Sequence, residues 1–256
     1  PRPRQSAEWS TWSGSANHQH IVGSTITSIH EPLCSIALPR QATPTEVMST
    51  NRVRVGEDSG GILPYYPLIL DDRVVIQTGP RRSQVLEVKL RTGETVFPSA
   101  APAADESVDV GRAILGVPRF PMTALGDRAF IRSGIPLCLS PSSQDQLPMP
   151  ARIEALDLTA EGKLIWSIGL EDPPWGGAWT FAGPAVSEGE QLYVAMVRRG
   201  ALRVETHVAA FDMLDGRLLW RRFVAAAEPS FGDNLSWVAH TLLSLDQGII
   251  YCNTKH

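Results

Sequence analysis

Residues 210–220 read Ala210-Phe211-Asp212-Met213-Leu214-Asp215-Gly216-Arg217-Leu218-Leu219-Trp220. Apolar residues lie on both sides of Asp215-Gly216. Asp-Gly between apolar stretches is a strong signal for a β-hairpin, because glycine adopts a positive φ at no steric cost. The stretch therefore predicts one strand that ends at Phe211, a tight turn, and a second strand that ends at Trp220.

This pattern occurs twice more, earlier in the chain. It runs from Ala155 to Trp166 with one extra residue before its glycine, Gly162. A weaker copy at residues 87–97 has Thr-Gly at its turn and ends in phenylalanine rather than tryptophan. Repetition of this kind indicates a fold built from several similar units.

An additional predicted hairpin precedes each copy. Its turn falls at Asp72, Asp127 and Glu190, and a fourth turn at Gln247 starts a further unit, so successive turns are 55, 63 and 57 residues apart. Each unit reads strand, turn, strand, variable tip, strand, glycine turn, strand. No stretch of helical periodicity is long enough for a crossover helix between strands. Units of four short strands that repeat about every 50 residues are typical of β-propeller blades.

The sequence therefore predicts an all-β protein. The predicted architecture is a β-propeller of four-stranded antiparallel blades, incomplete in this chain, which supplies about three and a half blades. Residues 1–61 are predicted to form an N-terminal arm and the first strands. The propeller repeats are predicted to occupy approximately residues 62–97, 119–166, 181–220 and, as a partial unit, 238–256.

Composition argues against several classes of protein. The net charge of −4 provides no basic surface for nucleic acid, and no apolar stretch of about 18 residues predicts a membrane-spanning helix. Cys34, Cys138 and Cys252 are far apart; they are compatible with one disulfide but indicate neither a disulfide framework nor a zinc site. The close pair His18 and His20 lacks a third ligand nearby, so no metal site is predicted.

The pattern Ala-x-Asp-x-x-x-Gly-x-x-x-Trp, preceded by a Pro-x-Val-x-x-Gly-x-x-x-Tyr-Val strand pair, resembles the repeat of PQQ-like (quinoprotein-type) β-propellers. The resemblance covers roughly residues 62–254, with a full match in the third repeat and partial matches in the first two. It implies that the alanine, glycine and aromatic residue dock each blade on its neighbour. Large aromatic side chains that fill the gap between sheets support this role physically. The candidate docking residues are Gly93, Phe97, Ala155, Gly162, Trp166, Ala210, Gly216 and Trp220.

Propellers of this family commonly have about seven or eight blades, more than this chain supplies. An incomplete last blade leaves an unpaired edge, which proteins usually close or cover. We therefore expect the chain to be a fragment of a longer one, with the remainder of a larger propeller missing from it. The alternatives are closure by a strand from residues 21–38 and self-association.

The resemblance also implies a chemistry that cannot be placed in this sequence. Quinoprotein dehydrogenases of the family bind PQQ with calcium, through an aspartate base, carboxylate and amide ligands, and often a vicinal disulfide. None of these features can be matched here, so the sequence predicts no catalytic residue, no metal site and no cofactor. PQQ and calcium are implied by the resemblance alone. Acidic turns such as Asp71-Asp72 are accounted for by turn chemistry.

A candidate binding face remains. In a four-stranded blade, the tip between the second and third strands and the link to the next blade lie on the same side. This arrangement places arginines beside tryptophans, a composition enriched at binding hot spots. The alternative is that the arginines solvate hairpin tips and the tryptophans pack beneath their own loops. The candidate face comprises Arg81, Arg82, Trp175, Trp179, Arg198, Arg199 and Trp237.

The sequence favours a non-catalytic scaffold that binds a protein or peptide, in the periplasm or outside the cell. Such a scaffold would be similar in role to the outer-membrane assembly lipoproteins of the family. One alternative is a fragment of a PQQ- and calcium-dependent dehydrogenase whose active-site residues lie outside this chain. A second alternative is the sensory module of a larger multidomain protein.

Overall fold

The computed structural model describes residues 66–79, 81–97, 121–134, 151–171, 175, 179–200, 202–228 and 241–254. The predicted N-terminal arm, Cys34, Cys138 and Trp237 lie outside these ranges. Regular structure within them is β-strand, apart from two single-turn 3-10 helices, Arg82–Gln84 and Leu158–Ala160. The predicted all-β class is therefore confirmed.

The described strands form four antiparallel sheets that follow one another along the chain. Blade 1 contains β1 Leu68–Leu70, β2 Arg73–Gln77, β3 Val85–Lys89 and β4 Thr95–Phe97. Blade 2 contains β5 Met122–Leu125, β6 Arg128–Ser133, β7 Arg152–Asp157 and β8 Lys163–Gly169. Blade 3 contains β9 Trp179–Phe181, β10 Val186–Glu188, β11 Gln191–Arg199, β12 Val204–Asp212 and β13 Leu218–Ala227. Half-blade 4 contains β14 Leu243–Asp246 and β15 Ile249–Cys252.

Blade 3 has one strand more than the sequence predicted. In blades 1 and 2 each strand pairs with the strands before and after it in the chain, as predicted. In blade 3, β10 pairs with only the first three residues of the nine-residue β11. The far end of β11 is left for β9, where Phe181 lies opposite Met196. The added strand contains Trp179, for which the sequence predicts a position in a link between blades.

The two tryptophan-containing repeats have the same hairpin register. Ala155 lies opposite Trp166 in blade 2, and Ala210 lies opposite Trp220 in blade 3. Opposed residues of an antiparallel pair project from the same face of the sheet, so the small alanine leaves room for the indole beside it. A bulge follows each of these pairs, and the glycine of each turn has a positive φ.

Each blade packs face to face on the next. One core cluster joins blades 1 and 2, another joins blades 2 and 3, and a third joins blade 3 to half-blade 4. The strands β1, β5, β10 and β14 also contact one another in that order. Sheets that succeed one another in this way, with corresponding strands side by side, have the radial arrangement of a β-propeller. The predicted propeller fold is therefore confirmed.

Aromatic rings meet glycine turns at two of these interfaces. The ring of Phe97 in blade 1 lies over Gly162 of blade 2, where a Cβ atom would be 2.7 Å from the ring. The indole of Trp166 in blade 2 lies over Gly216 of blade 3, where a Cβ atom would be 2.9 Å from it. The Nε1–H of Trp166 also donates a 3.1 Å hydrogen bond to the carbonyl oxygen of Met213.

Trp220 has the corresponding position in blade 3. It packs against Tyr193, with ring centroids 5.9 Å apart, and lies partly buried against a cluster that includes Leu243 and Leu245 of half-blade 4. At the corresponding turn of blade 1, Gly93 has a φ of +70°. We propose that these aromatic residues and glycines dock each blade on the next, as the resemblance implies.

Hydrogen bonds also join the blades. The side-chain amide of Gln77 donates a 2.9 Å bond to the carbonyl oxygen of Arg132 in blade 2. The guanidinium of Arg132 donates bonds of 3.1 and 3.2 Å to the carbonyl oxygen of Phe181 in blade 3. The backbone N–H of Thr241 donates a 2.7 Å bond to the carbonyl oxygen of Ala182. Each of the three blade interfaces is therefore fixed by polar contacts as well as by apolar packing.

Candidate functional site

Arg81 and Arg82 lie at the tip between β2 and β3 of blade 1. Both side chains line a groove of about 430 Å³ between blades 1 and 2, whose wall also contains Phe97 and two groups of opposite charge, Arg152 and Glu154. Basic and acidic side chains are interleaved in this groove. The mixture of charges does not favour a ligand of one sign.

Three other residues of the predicted face converge at blade 3. Trp175 lies in the link from blade 2, Trp179 begins β9, and Arg198 lies near the end of β11. Arg199 is the last residue of β11, and Trp237 lies outside the described residues. Arg81 and Arg82 thus line a groove between blades 1 and 2, whereas Trp175 and Trp179 belong to the core between blades 2 and 3.

Strand register places these side chains on one face of blade 3. Arg198 in β11 lies opposite Trp179 in β9 and opposite Glu205 in β12. Farther along the same face, His207 in β12 lies opposite Phe223 in β13. Residues i and i+2 of a strand share a face, so these side chains form one patch at the margin of the core between blades 2 and 3.

Aromatic rings form the base of the patch. The indoles of Trp175 and Trp179 meet edge to face, with centroids 5.8 Å apart and planes at 71°. The imidazole of His207 lies edge-on to Trp179, at 4.8 Å, and to Phe223, at 5.4 Å. Edge-to-face contacts at about these separations are favourable, so the rings hold one another in place.

Two exposed arginines lie over the indoles. The guanidinium carbon of Arg221 is 4.7 Å from the ring centroid of Trp179 and 5.3 Å from that of Trp175. The guanidinium carbon of Arg198 is 5.9 Å from the centroid of Trp179. Cation–π stacking holds a guanidinium by its face and leaves its N–H groups accessible. We call the following residues the arginine–tryptophan cluster: Trp175, Trp179, Arg198, Glu205, His207, Arg221 and Phe223.

Glu205 supplies the carboxylate of the cluster. Its oxygens lie 2.7 Å from a guanidinium nitrogen of Arg203, 3.2 Å from Nε2 of His207 and 3.6 Å from a guanidinium nitrogen of Arg198. The hydrogen bond with His207 and the nearby arginines hold the pKa of Glu205 below its usual value, although burial acts in the opposite direction. Glu205 is therefore ionised at neutral pH, and its charge is balanced by Arg198 of the cluster and by the adjoining Arg203.

Burial lowers the pKa of His207, and Arg221 lowers it further, against the opposing effect of the hydrogen bond to Glu205. The residue is 8% exposed, and its Nδ1 has no hydrogen-bond partner among the described residues. A neutral imidazole that donates Nε2–H to Glu205 has an unsatisfied acceptor at Nδ1. A buried polar atom without a partner is destabilising, so the cluster is not optimised for packing alone.

The lowered pKa values of His207 and Glu205 predict that the free energy of unfolding decreases in acid. When the pKa of His207 is lower in the folded chain, the unfolded chain takes up the proton first. The associated stability is then complete above about pH 6.5 and declines as the pH falls below that value. The carboxyl of Glu205 adds a second loss below about pH 4.5.

Urea unfolding of the wild type and of His207→Phe at about pH 7.5 and pH 5.5 measures the first loss. We expect the free energy of unfolding to fall more steeply with acid in the wild type, because the phenyl ring does not titrate. An identical pH dependence in the two proteins would show that His207 does not contribute.

Glu205, His207, Arg221 and Phe223 are not among the residues predicted from the sequence. A weak signal exists, since Glu-x-His and Arg-x-Phe each have the two-residue period of a strand with one face in common. That signal can be interpreted only when the register is known, because a bulge beside His207 shifts the pairing of β12 with β13.

Among the described residues, no group of three or more histidine, cysteine, aspartate or glutamate side chains could hold a metal ion. His18 and His20 lie outside those ranges, and Cys252 is a free thiol within them. None of the helices in the described residues is long and apolar enough to cross a membrane.

Comparison with solved structures finds distant matches. Quinohemoprotein alcohol dehydrogenase from Comamonas testosteroni matches 61% of this chain, with 19% identity and a TM-score of 0.40, over 20% of its own length. BamB from Moraxella catarrhalis matches 73% of this chain, with 13% identity and a TM-score of 0.31, over 68% of its own length. The chain thus spans about a fifth of the first of these proteins. No family model and no curated protein sequence match it.

The described part of the chain is a succession of β-propeller blades, and the predicted likeness to quinoprotein-type repeats is confirmed at the level of the fold. The blade topology, the face-to-face packing and the repeated alanine–tryptophan register carry this conclusion.

Proposed function

We propose that this chain is a non-catalytic β-propeller scaffold that binds a protein or peptide through the arginine–tryptophan cluster. The observation that carries the proposal is the position of Arg221, whose exposed guanidinium lies over the indoles of Trp175 and Trp179. Tryptophan and arginine are the residues most enriched at the energetic centres of protein interfaces. A partner can use the N–H groups of the guanidinium while the rings hold it in place.

Exposed apolar side chains beside the arginines support a binding role. Phe223 is 59% exposed although its ring contacts His207, and the next residue, Val224, is 40% exposed. At the adjoining tip between β11 and β12, Leu202 is 82% exposed. Single exposed apolar residues are common on any surface, but several next to arginine and tryptophan are typical of an interface.

The proposal includes a periplasmic or secreted location, which the repeat resemblance implies. Fractionation of cells that produce the natural full-length protein tests this part of the proposal. We expect the protein in the periplasmic or extracellular fraction, and its recovery with cytoplasmic markers would contradict that location.

The rival function is that of a PQQ- and calcium-dependent dehydrogenase whose active-site residues lie outside this chain. A ligand that binds only the folded state raises its stability by about 2.7 kcal/mol at 100 times its Kd. Thermal unfolding of the natural full-length protein with and without PQQ and calcium therefore separates the two functions. We expect an unchanged melting temperature, and a clear upward shift would favour the dehydrogenase.

Selection of displayed peptides tests the binding function. We expect a random library of about 12-residue peptides to yield binders that lose at least about tenfold in affinity for Trp179→Ala, because this indole supports both arginines. The control is Tyr251→Ala, which removes a 52% exposed aromatic side chain from half-blade 4. Circular dichroism checks that both variants are folded. Absence of enriched peptides, or equal binding to both variants, would contradict the proposal.

A further inference from the structure

We propose that the arginine–tryptophan cluster binds an extended, acidic segment of a partner protein, with a carboxylate on Arg221 and an apolar side chain on Phe223. The inference rests on the binding function proposed above and adds the chemistry of the partner. It follows from the accessible guanidinium, the excess of positive charge and the geometry of β13.

Arg221 has no carboxylate partner among the described residues. Its contacts there are with the rings of Trp175 and Trp179, which pack against the guanidinium. A guanidinium held in this way keeps its N–H groups for a bidentate pair with a carboxylate, which adds geometric specificity to the charge. Stacking also orders the side chain in advance, which reduces the entropy lost when a partner binds.

The cluster and its surroundings carry an excess of positive charge in a chain whose net charge is −4. Among the described residues, Arg198 and Arg203 pair with Glu205, the one carboxylate of the cluster, whereas Arg221 pairs with none. His207 adds no charge at neutral pH, because burial lowers its pKa. The local field therefore attracts acidic groups, and a segment with several of them is attracted more strongly than one with a single carboxylate.

The spacing along β13 matches an extended partner. Arg221 and Phe223 are two residues apart on one face, about 6–7 Å along the strand. The ladder between β12 and β13 is regular from Trp220 to Phe223. Residues i and i+2 of an extended segment have the same separation, so they can meet Arg221 and Phe223 in turn. The matching feature in the partner is an acidic residue two positions from an apolar one.

The outer edge of β13 is left unpaired by the strands of the described ranges. It is the last strand of its sheet, and none of the described strands pairs with its outer side. It has ten residues, whereas the outer strands β4 and β8 of the other blades have three and seven. Long edges of this kind readily pair with an added strand. An extended segment beside β13 can therefore use backbone hydrogen bonds in addition to Arg221.

A polypeptide fits this surface better than a nucleic acid or an anionic membrane. Those partners need a broad basic surface that neutralises many phosphates. The arginine–tryptophan cluster instead combines its arginines with the carboxylate of Glu205 and the exposed ring of Phe223, in a chain of net negative charge. A few charge-assisted pairs together with apolar contact are what the side chains of a polypeptide supply.

Fluorescence anisotropy with labelled synthetic peptides tests the inference on the 256-residue chain. The probe has three Glu-Ser-Leu-Ser repeats, which alternate acidic and leucine side chains on one face, and the control peptide has glutamine for glutamate. We expect the acidic peptide to bind at least about tenfold more tightly than the control. Arg221→Gln should lose most of this preference. Arg222→Gln should lose less than about twofold, because that arginine lies over Trp220 on the opposite face.

Equal affinity for the two peptides, or binding of neither, would overturn the inference. Display-selected peptides could depend on Trp179 and yet lack acidic residues. That result would support the binding function and contradict the acidic character of the partner. Tighter binding of a DNA oligonucleotide or of phosphatidylglycerol vesicles than of the acidic peptide would also overturn it. Arg221→Lys keeps the charge, so it should retain part of the preference, and unfolding curves like that of the wild type show that the variants are folded.

Discussion

Replacement of Trp166 by alanine will lower the free energy of unfolding by about 3–5 kcal/mol, the range for loss of a large buried aromatic side chain. The residue is 9% exposed, its ring lies 5.9 Å from that of Phe130, and it covers Gly216 of the next blade. The substitution also removes the Nε1–H donor of the carbonyl oxygen of Met213. Both losses fall on the interface between blades 2 and 3. Chemical denaturation followed by circular dichroism measures them.

Ile165→Ala is the matched control. Ile165 precedes Trp166 in β8, projects from the other face and is 38% exposed, so its truncation is expected to cost less than about 1 kcal/mol. Trp166→Phe retains much of the apolar area but removes the hydrogen bond, so its cost should fall between the two. Similar losses for Ile165→Ala and Trp166→Ala would show that the indole does not dock blade 2 on blade 3.

The repeat pattern predicted the hairpins well because it encodes side-chain volumes as well as turns. A small alanine lies opposite a large tryptophan in blades 2 and 3. In blade 1, Glu87 lies opposite Phe97. Glutamate is larger than the alanine of the other blades, and the phenyl ring is smaller than their indole. The exchange of volume between the two positions is compatible with close packing. It explains why the weaker copy forms the same hairpin.

Glu87 is an example of a residue whose surroundings cannot be predicted from a local sequence pattern. Its side chain is 2% exposed, with one carboxylate oxygen 3.7 Å from Arg73 and the other without a hydrogen-bond partner among the described residues. Burial raises the pKa of Glu87, while Arg73 acts in the opposite direction. Arg73 lies in the neighbouring strand β2, so this contact depends on the register of β2 on β3, which no short stretch of sequence specifies.

The arginine–tryptophan cluster was predictable only in part. Trp175, Trp179 and Arg198 could be grouped from the sequence, because tips and links lie on the same side of a blade. Arg221 and His207 could not, because two bulges set the register of β13 on β12, and bulges have no reliable signal in a single sequence. The three-residue β9 was missed because so short a strand shows no clear alternation.

Gly216→Ala is expected to destabilise the protein by about 2–5 kcal/mol, more than alanine at another turn of the same blade. Gly216 has a φ of +74°, and a left-handed conformation costs alanine about 1–2 kcal/mol. The added Cβ would also lie 2.9 Å from the indole of Trp166, closer than real Cβ contacts. Overpacking of this kind adds about 1–3 kcal/mol. Urea unfolding of the variant and the wild type measures the sum.

Gly189→Ala supplies the backbone cost without the contact. Gly189 has a φ of +59° in the turn between β10 and β11, and a Cβ there would meet nothing within 4 Å. The difference between Gly216→Ala and Gly189→Ala therefore isolates the contacts of the alanine methyl group, which are with Trp166 at 2.9 Å and with Cγ1 of Ile168 at 3.2 Å. Equal losses at the two glycines would mean that Gly216 is required by its turn alone.

A double-mutant cycle with Trp166→Ala separates the two roles of this glycine. Once the indole is gone, the methyl group of Gly216→Ala meets no ring and keeps only the 3.2 Å contact with Ile168, so its cost should fall most of the way to that of Gly189→Ala. Additive losses would instead place the whole effect in the backbone. The pattern Ala-x-Asp-x-x-x-Gly-x-x-x-Trp encodes contacts between blades only if the coupling is large. In that case Gly162 and Gly216 each accept the aromatic ring of the preceding repeat, and a local hairpin signal also specifies how successive sheets pack.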